Sequence, residues 1–166
     1  MSPAVLIIAA VALERVAEMI YAARNTRALL ARGAVETGRN HYPLIVLLHA
    51  TWLVCLVLFL PNPPSVHWLW LAVFLVLQVL RGWVFASLGP YWTTRILTLP
   101  GAPLVRGGPY RFMRHPNYVV VMGEIASLPL VFGELGVAIV FSILNAGLLA
   151  WRIGAEDKAL LARRSL

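Results

Sequence analysis

Five apolar runs in a chain of 166 residues limit most strongly what this sequence can fold into. The first three runs approach or reach the roughly 20 apolar residues that a membrane-crossing helix needs. The last two are shorter, and only Gly133 and Glu134 separate them. We therefore predict an all-α, polytopic membrane protein of one domain, residues 1–166, with about five transmembrane helices, the last two forming a tight hairpin. The predicted spans cover residues 4–23, 43–60, 68–87, 116–132 and 135–151.

The composition agrees with a membrane protein. Hydrophobic residues make up 60% of the chain and charged residues only 13%, against about 25% charged residues in a soluble domain. A net charge of +7 is compatible with nucleic-acid binding. However, the cations lie in the gaps between apolar runs, as is typical of membrane proteins. We expect membrane lipids as partners and no nucleic acid.

Cysteine and histidine suggest no metal chemistry, because they never occur together at ligand spacing. The one cysteine, Cys55, lies inside the second apolar run. We expect it to be a buried, inert thiol, and we expect no metal.

Loop charge predicts the orientation. The connections after the first and third runs each carry four arginines, whereas the connection after the second run carries no lysine or arginine. The positive-inside rule then places the N-terminus outside and the C-terminus in the cytoplasm, which for a bacterium means an inner-membrane protein. The first run has no preceding basic residue and contains acids, so we expect a retained span and not a signal peptide.

The hairpin should bring together two polar segments on the cytoplasmic side, residues 89–117 and 152–166. The stretch 99–118 is rich in proline and glycine, which predicts an irregular backbone. Such backbone near a membrane must be buried in protein or line a cavity. There, Tyr110 can stack on a flat ring, and Asn117 can cap the next helix. The residues alone leave two alternatives: a pocket wall, or a solvated loop whose arginines contact lipid phosphates.

Charged residues inside or beside the apolar runs need partners. Glu14, Arg15, Glu18 and Glu124 all lie in such positions, and intramembrane charges are costly unless they face each other or a cavity. We favour a structural cluster, with Glu124 paired to an arginine, over a role in shaping a substrate pocket.

Arg152 and Glu156 lie one helical turn apart and share a face. A carboxylate there can neutralise a ligand ammonium, and a guanidinium can grip an anionic oxygen with two hydrogen bonds. The alternative is a purely structural ion pair.

Residues 107–118 read Gly-Gly-Pro-Tyr-Arg-Phe-Met-Arg-His-Pro-Asn-Tyr. This stretch resembles the G-x-Y-x-x-x-R-H-P-x-Y signature of the isoprenylcysteine carboxyl methyltransferase family and its phospholipid methyltransferase relatives. Those enzymes also carry an Arg-x-x-x-Glu motif after a two-helix hairpin, which Arg152 and Glu156 match. The resemblance covers roughly residues 80–160. The family often has two adjacent glutamates where this chain has Glu156 and Asp157.

The resemblance implies a cytoplasmic-side pocket for S-adenosylmethionine, with S-adenosylhomocysteine as the product. It makes Arg152 and Glu156 the catalytic pair, with Arg152 meeting the acceptor. In some relatives a polar residue upstream also contacts the cosubstrate; the corresponding neighbourhood here is residues 91–95. The implied cofactor-binding residues are Ala102, Pro103, Leu104, Val105, Tyr110, His115, Pro116, Asn117, Tyr118 and Glu156.

The first half of the chain, around residues 24–25 and 33–43 and at His49, resembles a bacterial branch of this family. Members of that branch can accompany type III polyketide synthases and methylate alkylpyrones or alkylresorcinols. We expect O-methylation of a lipophilic acceptor that enters from the bilayer with an acidic oxygen, either a prenylcysteine-type carboxylate or such a hydroxyl. Phospholipid N-methylation ranks lower, because Arg152 would not attract an amine. A non-enzymatic membrane scaffold or transporter is the alternative from another class.

Overall fold

The computed structural model describes the backbone of residues 2–164 and the side chains of residues 2–160. The chain is mostly helical, as predicted. Two three-residue strands, β1 Val35–Thr37 and β2 Ile96–Thr98, and three short 3₁₀ helices join the main elements. The main helices are α1 Pro3–Ala31, α2 Tyr42–Leu58, α3 Trp68–Leu88, α4 Pro116–Val131 and α5 Leu135–Arg164.

The five predicted spans coincide with the five helices, but the first and the last helix are longer than predicted. α1 continues past residue 23 to Ala31 and ends where Gly33 adopts a φ of +89°, the left-handed conformation common after helices. α5 continues past residue 151 to Arg164. Both extensions are polar but rich in alanine, leucine and arginine, which favour helix. Hydropathy therefore marked the apolar part of each helix and not its end.

Within the part of the chain that the structure describes, three helical stretches are long and apolar enough to cross a membrane: Arg39–Leu58, Trp68–Tyr91 and Leu135–Leu160. α4 is apolar but has only 16 residues, and α1 carries several charges. Large apolar side chains cover much of the outer surface, and a contiguous apolar surface of this kind fits a lipid environment. The count of five spans stays a prediction.

The α4–α5 hairpin packs against α2 and α3 around a core that includes Leu56, Leu128 and Phe132, all fully buried. Gly133 closes the hairpin with a φ of +80°, a conformation that glycine adopts without a steric penalty. Cys55, expected to be buried, is half-buried against this core.

Pro116 begins α4, as predicted, since a missing N–H costs nothing at the first helical position. The expectation that Asn117 caps this helix is wrong. His115 occupies the N-cap position, and Asn117 lies within the first turn. Because the proline starts the helix, the following residue is already helical and its side chain is free for another use.

Buried charges join α1, α3 and α4, which confirms the structural interpretation of these residues. Arg81 Nη1 lies 2.8 Å from Glu124 Oε2, and the same guanidinium also pairs with Glu18. Arg15 donates to Glu18 at 3.0 Å and approaches Glu124 at 3.4 Å. Gln78 Nε2 donates to Glu124 Oε1 at 2.9 Å. The Glu124 carboxylate of α4 thus contacts side chains of both α1 and α3.

The two strands are a feature that the sequence analysis missed. β1, in the α1–α2 connection, pairs antiparallel with β2, which follows α3. Glu36 of β1 accepts hydrogen bonds from Arg95 Nη1 at 3.1 and 3.2 Å and from Arg39 Nε at 3.1 Å. This small sheet ties the α1–α2 connection to the segment that precedes residue 99.

Glu124→Gln should destabilise the protein, because Arg81 and Arg15 lose the carboxylate of α4 and keep only their acidic partners on α1. Removing one partner of a buried hydrogen bond costs roughly 1–3 kcal/mol. Unfolding of the detergent-solubilised protein by sodium dodecyl sulfate measures the loss. The matched control is Glu14→Gln, whose side chain is 38% exposed and which should change stability little. Equal effects of the two substitutions would contradict this account.

Candidate functional site

A cavity of about 310 Å³ lies at the end of the bundle where α1 ends and α4 begins. Its walls come from β2 and its flanks, from the proline- and glycine-rich segment before α4, from the first turn of α4 and from the polar extension of α5. Its size is at the lower end of the range for small-molecule pockets. The two polar segments that the hairpin was predicted to unite therefore do meet.

The segment before α4 reaches the cavity because Gly108 lets it pack against α3. Gly108 has a φ of +59°, and a Cβ there would lie 2.0 Å from Ser87 Oγ. The close approach seats the 3₁₀ helix Gly108–Arg111 and directs Tyr110 to the cavity. Burial, and secondarily the Glu156 carboxylate, raise the pKa of the Tyr110 phenol. Tyr110 is thus a neutral hydrogen-bonding group at neutral pH.

A chain of hydrogen bonds links α5, α4 and the segment before β2. Tyr118 donates to the Glu156 carboxylate. Arg152 Nε donates to the Tyr118 oxygen at 2.9 Å, and Arg152 Nη2 donates to the Thr94 carbonyl at 2.8 Å. Arg152 is only 8% exposed, so these bonds act in a poorly solvated place. Arg152 and Glu156 do share one helical face, as the sequence predicted, and Tyr118 lies between them.

His115 stands between two carboxylates. Its ring stacks on Tyr118 with centroids 5.4 Å apart. Nδ1 lies 3.7 Å from Glu156 Oε2, and Nε2 lies 3.3 Å from Asp157 Oδ1. Asp157, which stands where the family often has a second glutamate, therefore contacts His115, while Glu156 contacts Tyr118.

Asn25, which the sequence analysis noted only for its resemblance to the bacterial branch, holds one wall in place. Its Nδ2 donates to the Trp92 carbonyl at 2.9 Å and to the Gly89 carbonyl at 3.2 Å. Tyr21, one turn earlier, donates to Gly89 as well, at 3.1 Å. Trp92 stacks on Phe85 at 4.0 Å. No local sequence pattern predicts these hydrogen bonds, because the partners of Asn25 follow α2 and α3 in the chain.

The structure brings together nearly all the residues singled out from the sequence. Pro116 is the exception: it is buried in the first turn of α4 and is not among the residues that line the cavity. The neighbourhood 91–95, which could not be assigned a contact from sequence, does contribute to the wall, and Arg95 is part of it. The predicted residues that line the cavity are Ala102, Pro103, Leu104, Val105, Tyr110, His115, Asn117, Tyr118, Arg152 and Glu156.

In this wall, one polar atom of the Asn117 side chain has no partner among the described residues. The Oδ1 atom of Asn117 is buried, and no described residue donates a hydrogen bond to it. Buried polar atoms are nearly always paired, so an orphan acceptor calls for an explanation such as a bound molecule. A ligand N–H group would satisfy it.

The sequence profile of the isoprenylcysteine carboxyl methyltransferase (ICMT) family matches residues 70–162, from α3 through the hairpin and both cavity segments. The chain belongs to this family. YpbQ of Bacillus subtilis (strain 168), an uncharacterised protein, is 45% identical over 159 residues, which cover 93% of this chain and 95% of YpbQ. An uncharacterised protein of Haemophilus influenzae is 25% identical over 142 residues, or 82% and 83% of the two chains. No solved structure matches significantly.

Membership of the ICMT family supports a methyltransferase, and with the three long apolar helices it supports an integral membrane protein. Methyltransferases of this family generally use S-adenosylmethionine. The family match covers the cavity, which places the candidate site within the part of the chain that carries the family pattern.

Asn25→Ala should weaken binding of S-adenosylhomocysteine roughly ten-fold, because two hydrogen bonds that hold the wall are lost and each contributes about 1 kcal/mol. Isothermal titration calorimetry of the detergent-purified protein measures the effect. Asn40→Ala is the matched control, since Asn40 is exposed. An unchanged affinity in Asn25→Ala would show that this contact does not shape the cavity.

Proposed function

We propose that this chain is an S-adenosylmethionine-dependent O-methyltransferase that acts on a lipophilic acceptor with an acidic oxygen. The observation that carries the proposal is the array of Arg152, Tyr118 and Glu156 at the cavity, within the segment that matches the ICMT family. Loop charge supports a cavity on the cytoplasmic side of the inner membrane, with five spans and the N-terminus outside.

The residues of the cavity fit the cosubstrate. The Glu156 side chain is 26% exposed and offers a carboxylate to a ligand ammonium. The orphan Oδ1 atom of Asn117 offers an acceptor to a ligand N–H group. The Tyr110 ring lines the same space and can pack against a flat base, and the backbone of residues 102–105 completes this wall.

S-adenosylmethionine, when bound, supplies a methyl group that is already activated for in-line displacement by an acceptor oxygen. The protein then has to orient the reactants and exclude water. Good alignment alone is worth about 7–11 kcal/mol of the barrier in the best cases. The hydrogen bonds that tie α4, α5 and the segment before β2 provide the rigidity that such alignment needs.

Arg152 is the group that we assign to the acceptor. Its hydrogen bonds to described residues use Nε and Nη2, which leaves Nη1 for an acceptor oxygen. A buried guanidinium stabilises an anionic oxygen, and an acceptor that arrives as an anion needs no general base. Prenylcysteine-type carboxylates and alkylpyrone or alkylresorcinol hydroxyls both meet this requirement, with their tails among the helices and the bilayer.

The charge of the cavity argues against the other candidates. Four arginines line it, namely Arg95, Arg106, Arg114 and Arg152. They disfavour a cationic headgroup, so N-methylation of a phospholipid amine ranks below O-methylation. A scaffold or transporter would not need a hydrogen-bonded arginine, tyrosine and glutamate at a small cavity.

The direct test of the proposal is titration of S-adenosylhomocysteine into the purified protein by calorimetry. Saturable binding is expected, and its absence at millimolar ligand would refute the enzyme assignment. A labelled-methyl assay against prenylcysteine, alkylpyrone, alkylresorcinol and aminophospholipid then identifies the acceptor. Transfer to the aminophospholipid alone would replace the O-methylation proposal.

Arg152→Lys should lower methyl transfer at least a hundred-fold, because a single ammonium group cannot bond Tyr118, the Thr94 carbonyl and the acceptor oxygen in the geometry of the guanidinium. S-adenosylhomocysteine binding should weaken no more than in Asn25→Ala, because each substitution loses at most two hydrogen bonds of the cavity wall. Arg39→Lys is the control, since the Arg39 side chain is 73% exposed and is not among the residues that line the cavity. Loss of S-adenosylhomocysteine binding in Arg152→Lys would show that the roles of Arg152 and Glu156 have been misassigned.

Glu156→Gln should weaken S-adenosylhomocysteine binding about ten-fold or more, because a charge-assisted hydrogen bond to the ligand ammonium becomes a neutral one. Asp157→Asn, one residue further on the same helix, should weaken it less. Calorimetry on both variants gives the comparison. A larger effect at position 157 than at 156 would move the ammonium site to Asp157.

A further inference from the structure

The surface beside the cavity carries a patch of apolar and basic side chains, of which only Arg114 also lines the cavity. We define the interfacial patch as residues 111–114 together with Trp83 of α3. Phe112 is 65% exposed and Met113 is 45% exposed. Arg111 and Arg114 flank them in the chain and are also exposed.

The patch continues the outer, apolar face of α3. Val76, Val79 and Trp83 are all exposed and lie on one side of the helix, since residues three and four apart share a face. The Phe112 ring meets Trp83 edge-on at 6.3 Å. Trp83 lies within two turns of the end of α3 at Leu88. The exposed apolar stripe of α3 therefore ends at an aromatic pair. Aromatic residues are enriched in the same way where membrane helices leave the bilayer.

Among the described residues, Arg111 and Arg114 have no acidic partner. The sequence has no acidic residue between Glu36 and Glu124. Among residues 2–160, no carboxylate lies within ion-pair distance of Arg111 or Arg114. The Arg111 guanidinium instead lies 4.6 Å from the centre of the Phe112 ring. Long basic side chains above an apolar surface place their charge at the level of the headgroups.

We propose that the interfacial patch binds an anionic phospholipid, with its phosphate at Arg111 and Arg114 and its acyl chains against Trp83 and Phe112. Basic residues next to a membrane helix attract anionic lipids, and the aromatic pair supplies the apolar contact. Arg114 also lines the cavity, so the bound headgroup lies beside the cavity mouth. The other residues of the patch are not part of the cavity lining, and lipid binding requires only a protein embedded in a bilayer.

A fluorescent label within the patch tests this site. The probe is bimane on Met113→Cys, in a Cys55→Ala background that removes the one native thiol, with the full chain in phosphatidylcholine nanodiscs. Spin-labelled phosphatidylglycerol should quench it at least about five-fold more effectively than spin-labelled phosphatidylcholine, since each arginine near an anionic surface contributes a factor of about five. Equal quenching by the two lipids would overturn the proposal.

Two further variants locate the effect. Arg111→Gln with Arg114→Gln should bring the quenching ratio near one. Arg24→Gln with Arg27→Gln removes the same charge from exposed positions of α1 at the same end of the bundle and should leave the ratio unchanged. An equal fall in both double variants would show that net charge alone attracts the lipid and would refute a local site.

Salt supplies a test that does not depend on the folding of those variants. Raising the ionic strength screens exposed charges, so the quenching ratio of the labelled protein should fall toward one. A ratio that does not respond to salt would refute the role of the arginines. Neither measurement uses S-adenosylmethionine, so failure of the lipid site and failure of the proposed enzyme function can be told apart.

Discussion

Inside the bundle, Arg15 and Arg81 meet Glu18 and Glu124 where α1, α3 and α4 come together. An unpaired charge in such surroundings is costly, so these three helices can slide past one another only by breaking the pairs. The longitudinal position of α1 is thereby set. Asn25, two turns beyond Glu18, then reaches the carbonyls of the cavity wall. α1 is thus held both by the charge cluster and, two turns further on, by the hydrogen bonds of Asn25.

Arg152 combines a structural and a proposed chemical role. Two of its nitrogens hold Tyr118 and the Thr94 carbonyl, which joins two helices to the segment before β2. The proposed function assigns its remaining terminal nitrogen to the acceptor. A planar guanidinium can do both because its donors point in several fixed directions. The same property makes the site rigid, since the group that would bind the substrate is already held by the fold.

Several features could be read from the residues themselves because their cause is local. The apolar runs predicted the cores of five helices, and Pro116 predicted where α4 begins. The spacing of Arg152 and Glu156 predicted their common face. The polar ends of α1 and α5 were not predicted, because hydropathy measures only the apolar length of a helix and both helices continue beyond their apolar part. The cap assigned to Asn117 was wrong because the proline before it already starts the helix.

The sequence by itself determined a membrane-embedded helical chain with a two-helix hairpin, membership of the ICMT family, and the segments that line the cavity. Only the tertiary structure decided which charges pair, that β1 joins β2, that Asn25 supports the wall and that Pro116 lies outside it. The physical reason is one of range. Hydropathy and helix propensity act over neighbouring residues, whereas a choice among several possible partners depends on distances between helices that only packing sets.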